Sequence, residues 1–215
     1  MPEVKFCGLT RPEDAAQAAA LGAAYAGVIF AGGPRRLDPV RAGVVLAAAG
    51  AARRVGVFGA TDADDIARVA ALAELDVVQL HGDPDVAAVA AVRRRFAGTV
   101  WAVARCEGAR LPDGVDELFA AADAVVLDAR VPGLLGGTGV AVPWAEIAAA
   151  LAAARGAGRL VLAGGLTPEN VAEAVRALAP DIVDVSSGVE SAPGIKDHER
   201  MRAFRRAATD TGVGA

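Results

Sequence analysis

The sequence predicts a single (β/α)8 TIM barrel, eight parallel strands ringed by outer helices, on three observations. Short β-branched runs alternate with longer Ala-rich stretches of helical period, there are eight of each, and the strand-like runs are almost continuously apolar. Parallel strands buried on both faces require that last pattern, and each return crossover requires a helix. The eight units are evenly spaced and fill residues 1–208 as one domain, leaving 209–215 as a frayed tail. An open doubly wound sheet is the alternative, disfavoured because the eight units leave no remainder.

The strands are expected at 4–7, 25–30, 54–58, 77–80, 99–103, 124–127, 159–163 and 182–185, where Val, Ile, Leu and Phe cluster. The helices fall between them at 12–21, 39–49, 62–72, 84–96, 115–121, 144–154, 168–178 and 197–208. Thr10, Asp83, Thr167 and the pair Lys196-Asp197 precede Pro or acidic first turns. A capping oxygen there accepts from orphan N–H groups, and a Pro lacks the donor altogether.

At 215 residues, 54% of them apolar, the chain can build a large core without disulfides or metal. Aromatic residues make up only 4%, which argues against base-stacking surfaces, and no nucleic-acid partner is expected. Arg93-Arg94-Arg95 is the one compact basic run and reads as a solvated helix face. Cys7 and Cys106 form no metal pattern, and a reducing cytoplasm is the simplest compartment for them. No apolar stretch is long enough to cross a membrane.

In a barrel of this kind chemistry sits at the C-terminal mouth of the strands. Cys7, Asp128 and the Gly-rich segments after strands six, seven and eight all fall there. Taken singly each has a plainer reading: a free Cys is usually a small core hydrophobe, and Cys106, with no motif around it, keeps that reading. Gly164-Gly165 after strand seven lets the backbone approach an anion. Ser186-Ser187-Gly188 after strand eight presents N–H groups at the start of a short helix. The two loops together read as a phosphate site, and with a net charge of −4 capture of a phosphorylated small molecule must be local.

Lys5-Phe6-Cys7-Gly8-Leu9-Thr10, Val55-Gly56-Val57-Phe58, Gln79-Leu80-His81-Gly82, Gly136-Gly137-Thr138-Gly139, Gly164-Gly165-Leu166 and Asp184-Val185-Ser186-Ser187-Gly188-Val189-Glu190 occur in this order. With Pro193-Gly194-Ile195-Lys196-Asp197 they resemble the phosphoribosylanthranilate isomerase family of tryptophan biosynthesis. The resemblance implies a cofactor-free enzyme, without a metal, acting as a monomer or homodimer. Such an enzyme converts N-(5'-phosphoribosyl)anthranilate to 1-(2-carboxyphenylamino)-1-deoxyribulose 5-phosphate. It puts Cys7 in the place of the general base, Asp128 in that of the general acid, and Arg35 in that of the residue for the anthranilate carboxylate. Gly137 and His81 join the pocket, although His81 reads equally well as a turn cap. The family usually has Ser-Pro-Arg after strand two; here Gly33-Pro34-Arg35-Arg36 lacks the serine and adds an arginine.

Nearby families differ at strand one: the bifunctional isomerase that also serves histidine biosynthesis carries Asp where Cys7 stands, and indole-glycerol phosphate synthase carries Lys. A catalytically silent phosphate-binding barrel would need neither Cys7 nor Asp128. A free thiol titrates near 8.5 and a free Asp near 3.9, so a thiolate base and a protonated acid require opposite shifts, down for Cys7 and up for Asp128. Lys5, two residues before Cys7 and so on the same face, is the expected counter-ion, with Asp184 its partner on the closing strand.

Overall fold

The computed structural model describes residues 1–106, 108–128 and 144–209. Eight strands pair in chain order and all in parallel: β1 (Glu3–Phe6), β2 (Tyr25–Ile29), β3 (Arg53–Phe58), β4 (Val77–Leu80), β5 (Thr99–Arg105), β6 (Ala124–Asp128), β7 (Leu160–Ala163) and β8 (Ile182–Val185). β1 also pairs with β8, with Lys5 opposite Asp184, and so closes the ring. The helices are α1 (Pro12–Ala20), α2 (Pro39–Ala47), α3 (Ala63–Leu72), α4 (Val86–Arg93), α5 (Val115–Ala121), α6 (Trp144–Arg155), α7 (Val171–Leu178) and α8 (His198–Thr209).

Asp caps start several of these helices. Asp38 accepts from the Arg41 amide, Asp62 from Asp64, Asp85 from Ala88, and Asp197 from Glu199 and Arg200. The capping assigned to Asp83 therefore belongs to Asp85; Asp83 sits at positive φ in the preceding loop and pairs with Arg105. Thr10 is not a cap either: its hydroxyl donates to the Gly194 carbonyl at 2.5 Å. Before α7 the residues from Thr167 form a separate turn, closed by Asn170 accepting from the Thr167 amide, so the helix starts three residues later than the expected 168. Thr209 completes α8 with its hydroxyl on the Arg205 carbonyl, and the rest of the expected tail, 210–215, lies outside the described residues.

Two apolar layers follow from the period-2 alternation of the strands. Outward residues, among them Phe6, Leu127 and Leu160, meet helix residues such as Leu46, Ile147 and Phe204 in a continuous shell. Inward residues form a second cluster of Tyr25, Val55, Val77, Trp101, Val103, Ala124, Val126, Val161 and Ile182. Tyr25 and Trp101 meet edge to face at 4.9 Å in its midst. This plug fills the lower barrel, so only the upper end has room for chemistry. The same parity continued along the strands brings Lys5, Cys7, Gln79, His81, Asp128, Asp184 and Ser186 inward above it.

A short antiparallel hairpin, β9 (Glu190–Ala192) and β10 (Ile195–Lys196), follows β8 and was not expected from the sequence. It is tied to α1 through Asp14, whose fully buried carboxylate accepts from Arg11 at 2.7 and 2.9 Å, from His198 Nε2 at 2.9 Å and from the Lys196 amide at 3.2 Å. Burial alone would raise the Asp14 pKa, but Arg11, His198 and the Lys196 amide together hold it below the usual carboxylate range. A depressed folded pKa gives stability that is fully present above the unfolded value, about 3.9, and is lost as pH falls through the folded one. Asp14→Asn is accordingly expected to lose about 1.5–3 kcal/mol near pH 7 in urea denaturation, with the gap to wild type closing progressively below about pH 4.

Candidate active site

Cys7 leaves β1 at the mouth, where its amide donates to the Val185 carbonyl at 2.9 Å, and its side chain is buried. One inward position below it, Lys5 is fully buried and its ammonium donates to Asp184 Oδ2 at 2.8 Å. Room for both comes from Gly27 on β2. A Cβ there would lie 3.1 Å from the Cys7 sulfur and 3.2 Å from Lys5 Cε. The expected Lys5–Asp184 pair is therefore present, and Lys5 pulls the thiol pKa down as expected, but the net shift of Cys7 is upward. Burial pushes the Cys7 thiol up, and Asp184 pushes the same way, while the ammonium of Lys5 offsets only part of this because Asp184 already neutralises it. Lys5 itself stays a cation: burial would lower its pKa, but Asp184 and then Cys7 raise it above the ordinary lysine value.

Asp128 ends β6, three strands from β1 by way of β7 and β8, which in a ring of eight is close to diametric. Its Oδ1 is buried without a hydrogen-bond partner among the described residues. Cys106 lies beside it, with its amide donating to the Asp128 carbonyl at 3.2 Å. Burial and the Asp128 charge push the Cys106 thiol up to about 11, which keeps it the inert core residue the sequence indicated. His81 follows β4, its amide on the Phe58 carbonyl at 2.7 Å and its own carbonyl accepting from Arg105 at 2.6 Å. Burial and the Arg105 cation lower its pKa, so the ring is neutral at pH 7, with Nδ1 buried and unpartnered among the described residues. Among the described residues the ring caps no turn. Gln79 Oε1, Asp184 Oδ1 and Ser186 Oγ are buried and unpartnered in the same way. Desolvated polar atoms without partners cost about 1–3 kcal/mol each, and their convergence on one mouth marks a ligand position.

The loops after β7 and β8 form the far wall. Gly164 and Gly165 both adopt positive φ, +86° and +68°, and a Cβ on Gly165 would meet nothing within 4 Å. Neither amide donates to a backbone carbonyl among the described residues. Ser187–Val189 form one 3-10 turn after Ser186, packed so tightly on the preceding loop that a Cβ on Gly188 would fall 1.9 Å from the Leu166 carbonyl oxygen. Arg200 on α8 donates to the Gly188 carbonyl at 3.0 Å and holds the turn from behind. The two loops thus form a rigid pair with amides at the mouth, as an anion site needs. Gly137 lies outside the described residues.

Arg35 is half-buried while Arg36 is exposed, so of the two candidate arginines it is Arg35 that reaches the mouth. A Cβ on Gly8 would sit 2.7 Å from both Arg35 Cδ and Ser186 Oγ, so the absent side chain at Gly8, itself at φ +66°, is what admits the arginine. The missing serine has a local reason: Gly33 turns at φ +101°, a conformation that disfavours any other residue. Sequence reading missed Glu190 and Lys196. Arg35 donates to Glu190 through Nε at 2.8 Å and through a terminal nitrogen at 2.6 Å. Lys196, buried, donates to Glu190 at 2.8 Å and to the Ser186 carbonyl at 3.0 Å. The hairpin that folds Lys196 back gives no periodic signal in two- and three-residue strands.

Gly188→Ala is expected to lower affinity for inorganic phosphate and for phosphorylated ligands at least tenfold, and to destabilise the fold by about 1–3 kcal/mol, because a backbone carbonyl has to move. Isothermal titration with phosphate and a urea melt check the two effects.

The model of the family described as N-(5'phosphoribosyl)anthranilate (PRA) isomerase matches residues 4–207. An N-(5'-phosphoribosyl)anthranilate isomerase of Rubrobacter xylanophilus is 43% identical over 210 residues, covering 97% of this chain and 99% of that protein. The phosphoribosyl anthranilate isomerase of Thermotoga maritima superposes with a TM-score of 0.86 at 32% identity, over 97% of this chain and 98% of the other. A further solved isomerase of this kind, in complex with reduced 1-(o-carboxyphenylamino)-1-deoxyribulose 5-phosphate, superposes with a TM-score of 0.83 at 30% identity, over the same shares. A family match along nearly its whole length, on the same closed barrel, means that the chain belongs to the N-(5'-phosphoribosyl)anthranilate isomerase family.

Proposed function

We infer that this protein converts N-(5'-phosphoribosyl)anthranilate into 1-(2-carboxyphenylamino)-1-deoxyribulose 5-phosphate, an aldose–ketose isomerisation in tryptophan biosynthesis. The observation that carries the reading is the ring of buried polar atoms at the mouth without a partner among the described residues, Asp128 Oδ1 among them, with the Cys7 thiol across from it. A non-catalytic phosphate binder would need the loops after β7 and β8 but not these desolvated groups. Membership of the family and the product-like ligand bound by a solved relative support the same reading.

In this reading Asp128, as the acid, donates a proton to the ribose ring oxygen. The C1–O bond breaks and the nitrogen lone pair forms an iminium at C1. Cys7, as thiolate, then removes the proton on C2; the electron pair closes C1=C2 and neutralises the iminium to an enolamine. Tautomerisation moves a proton from the C2 hydroxyl to C1 and leaves the ketone. Protons given and taken balance, so no redox partner is needed. Gly164, Gly165, Ser187 and Gly188 hold the phosphate, Arg35 the anthranilate carboxylate, and Ser186 and neutral His81 contact the sugar.

Cys7→Ala and Asp128→Asn are each expected to lower kcat by about 10²–10⁴-fold with the fold intact. Anthranilate fluorescence during turnover reads the rate and far-UV circular dichroism reads the fold; unchanged kcat in either variant removes that residue from its role.

The direction of the Cys7 shift predicts the pH profile. A raised thiol pKa leaves the thiolate the minor form at neutral pH, so the rate at which iodoacetamide alkylates Cys7, read by mass spectrometry, is expected to climb as pH rises from about 7 toward 9.5. Lys5→Met removes the opposing cation and moves this limb to higher pH. Asp184→Asn removes the anion that neutralises Lys5 and moves it lower. Limbs that shift together, or not at all, would refute the assignment of Lys5 and Asp184 as the groups that tune the base.

A further inference from the structure

Arginine carries five N–H donors in a planar fork, and a carboxylate fills two of them. In this protein Glu190 takes the edge of Arg35 formed by Nε and one terminal nitrogen, at 2.8 and 2.6 Å. The opposite edge, which holds the remaining three N–H groups, is left on the side away from Glu190. Glu190 is itself immobilised. Its side chain is 5% exposed, it starts β9, and Lys196 Nζ donates at 2.8 Å to Oε1, the same oxygen that accepts from Arg35 Nε. Lys196 reaches on to the carbonyl of Ser186, the residue that opens the anion loop. Two cations on one carboxylate leave the cluster with a single positive charge, which one further carboxylate neutralises.

We propose that Glu190, braced by Lys196, is a positioning residue that orients Arg35 so that its free edge receives the aryl carboxylate of the substrate. The proposal rests on the assignment of Arg35 made above and extends it. Without Glu190 an arginine side chain entering over Gly8 has several rotamers and no reason to present one edge, and part of its binding free energy goes into ordering. With it, the guanidinium is preorganised. The bond from Lys196 to the Ser186 carbonyl sets the distance between the carboxylate end and the phosphate end of the site, because one short hairpin holds both.

The test compares two ligands, reduced 1-(o-carboxyphenylamino)-1-deoxyribulose 5-phosphate and its counterpart with a plain phenyl ring, titrated into the wild type, Arg35→Met and Glu190→Gln. The expected result is that both variants lose roughly tenfold or more for the carboxylated ligand and bind the phenyl ligand as the wild type does, since a charge-assisted pair is worth at least that factor. In turnover Glu190→Gln is expected to raise KM by a similar factor with kcat within about threefold, the signature of a lost binding contact rather than a damaged fold. If Arg35→Met discriminates between the ligands but Glu190→Gln weakens both equally, or neither, the inference about Glu190 is wrong while the role of Arg35 stands. If Arg35→Met does not discriminate, both fall. Should Glu190→Gln fail to fold with Lys196 left unpaired, the double variant Glu190→Gln/Lys196→Met, which removes anion and cation together, is scored by the same comparison.

Discussion

The ion pair between Lys5 and Asp184 is the constraint around which the rest of the barrel is organised. It lies at the seam where β1 meets β8, with no exposure on the lysine, and the register of the two strands sets the partners directly opposite each other. A buried pair of this kind contributes little to stability compared with apolar residues of similar volume, and breaking one partner is far more damaging than replacing both. Its place in the molecule is better understood through what sits next to it. Gly27 forgoes a side chain so that the lysine stem and the Cys7 sulfur fit, and the pair sets the electrostatic surroundings of that sulfur.

The barrel separates support from chemistry along its axis. The lower interior is a dry plug of branched and aromatic side chains around Tyr25 and Trp101. Above it the same alternation of side chains supplies carboxylates, an imidazole, an amide and a hydroxyl, none of which the described residues satisfy fully. Loops after β7 and β8 interlock through Gly188 and Leu166, and the hairpin β9–β10 ties the second loop to α1 through Thr10 and Asp14. The two loops are thus held on three sides by contacts that a ligand does not need to create.

Most of the architecture was legible because strand and helix leave periodic signals. Continuous apolar runs located the eight barrel strands to within one or two residues, and Asp197 marks a helix start by a mechanism that depends only on neighbours in sequence. Thr10 misled because its hydroxyl found a distant acceptor, Gly194, rather than its own helix; a sequence carries no record of that competition. The same limit hid Glu190, which meets Arg35 across 155 residues, and Lys196, which the hairpin folds back onto the same carboxylate. Cys7, Asp128 and Arg35 could be singled out by position and by resemblance. The protonation bias of Cys7 could not, since it depends on how fully Asp184 cancels Lys5 and how deeply the sulfur is desolvated.

That bias has a chemical consequence beyond turnover. Oxidants and electrophiles attack the thiolate, and susceptibility follows its abundance and its accessibility. A sulfur kept mainly in its protonated form, beneath Gly27 and with little surface of its own, is a slow target for peroxide and for alkylating agents when no sugar is in place. The burial that makes this thiol harder to ionise thereby preserves the sulfur that we propose as the base.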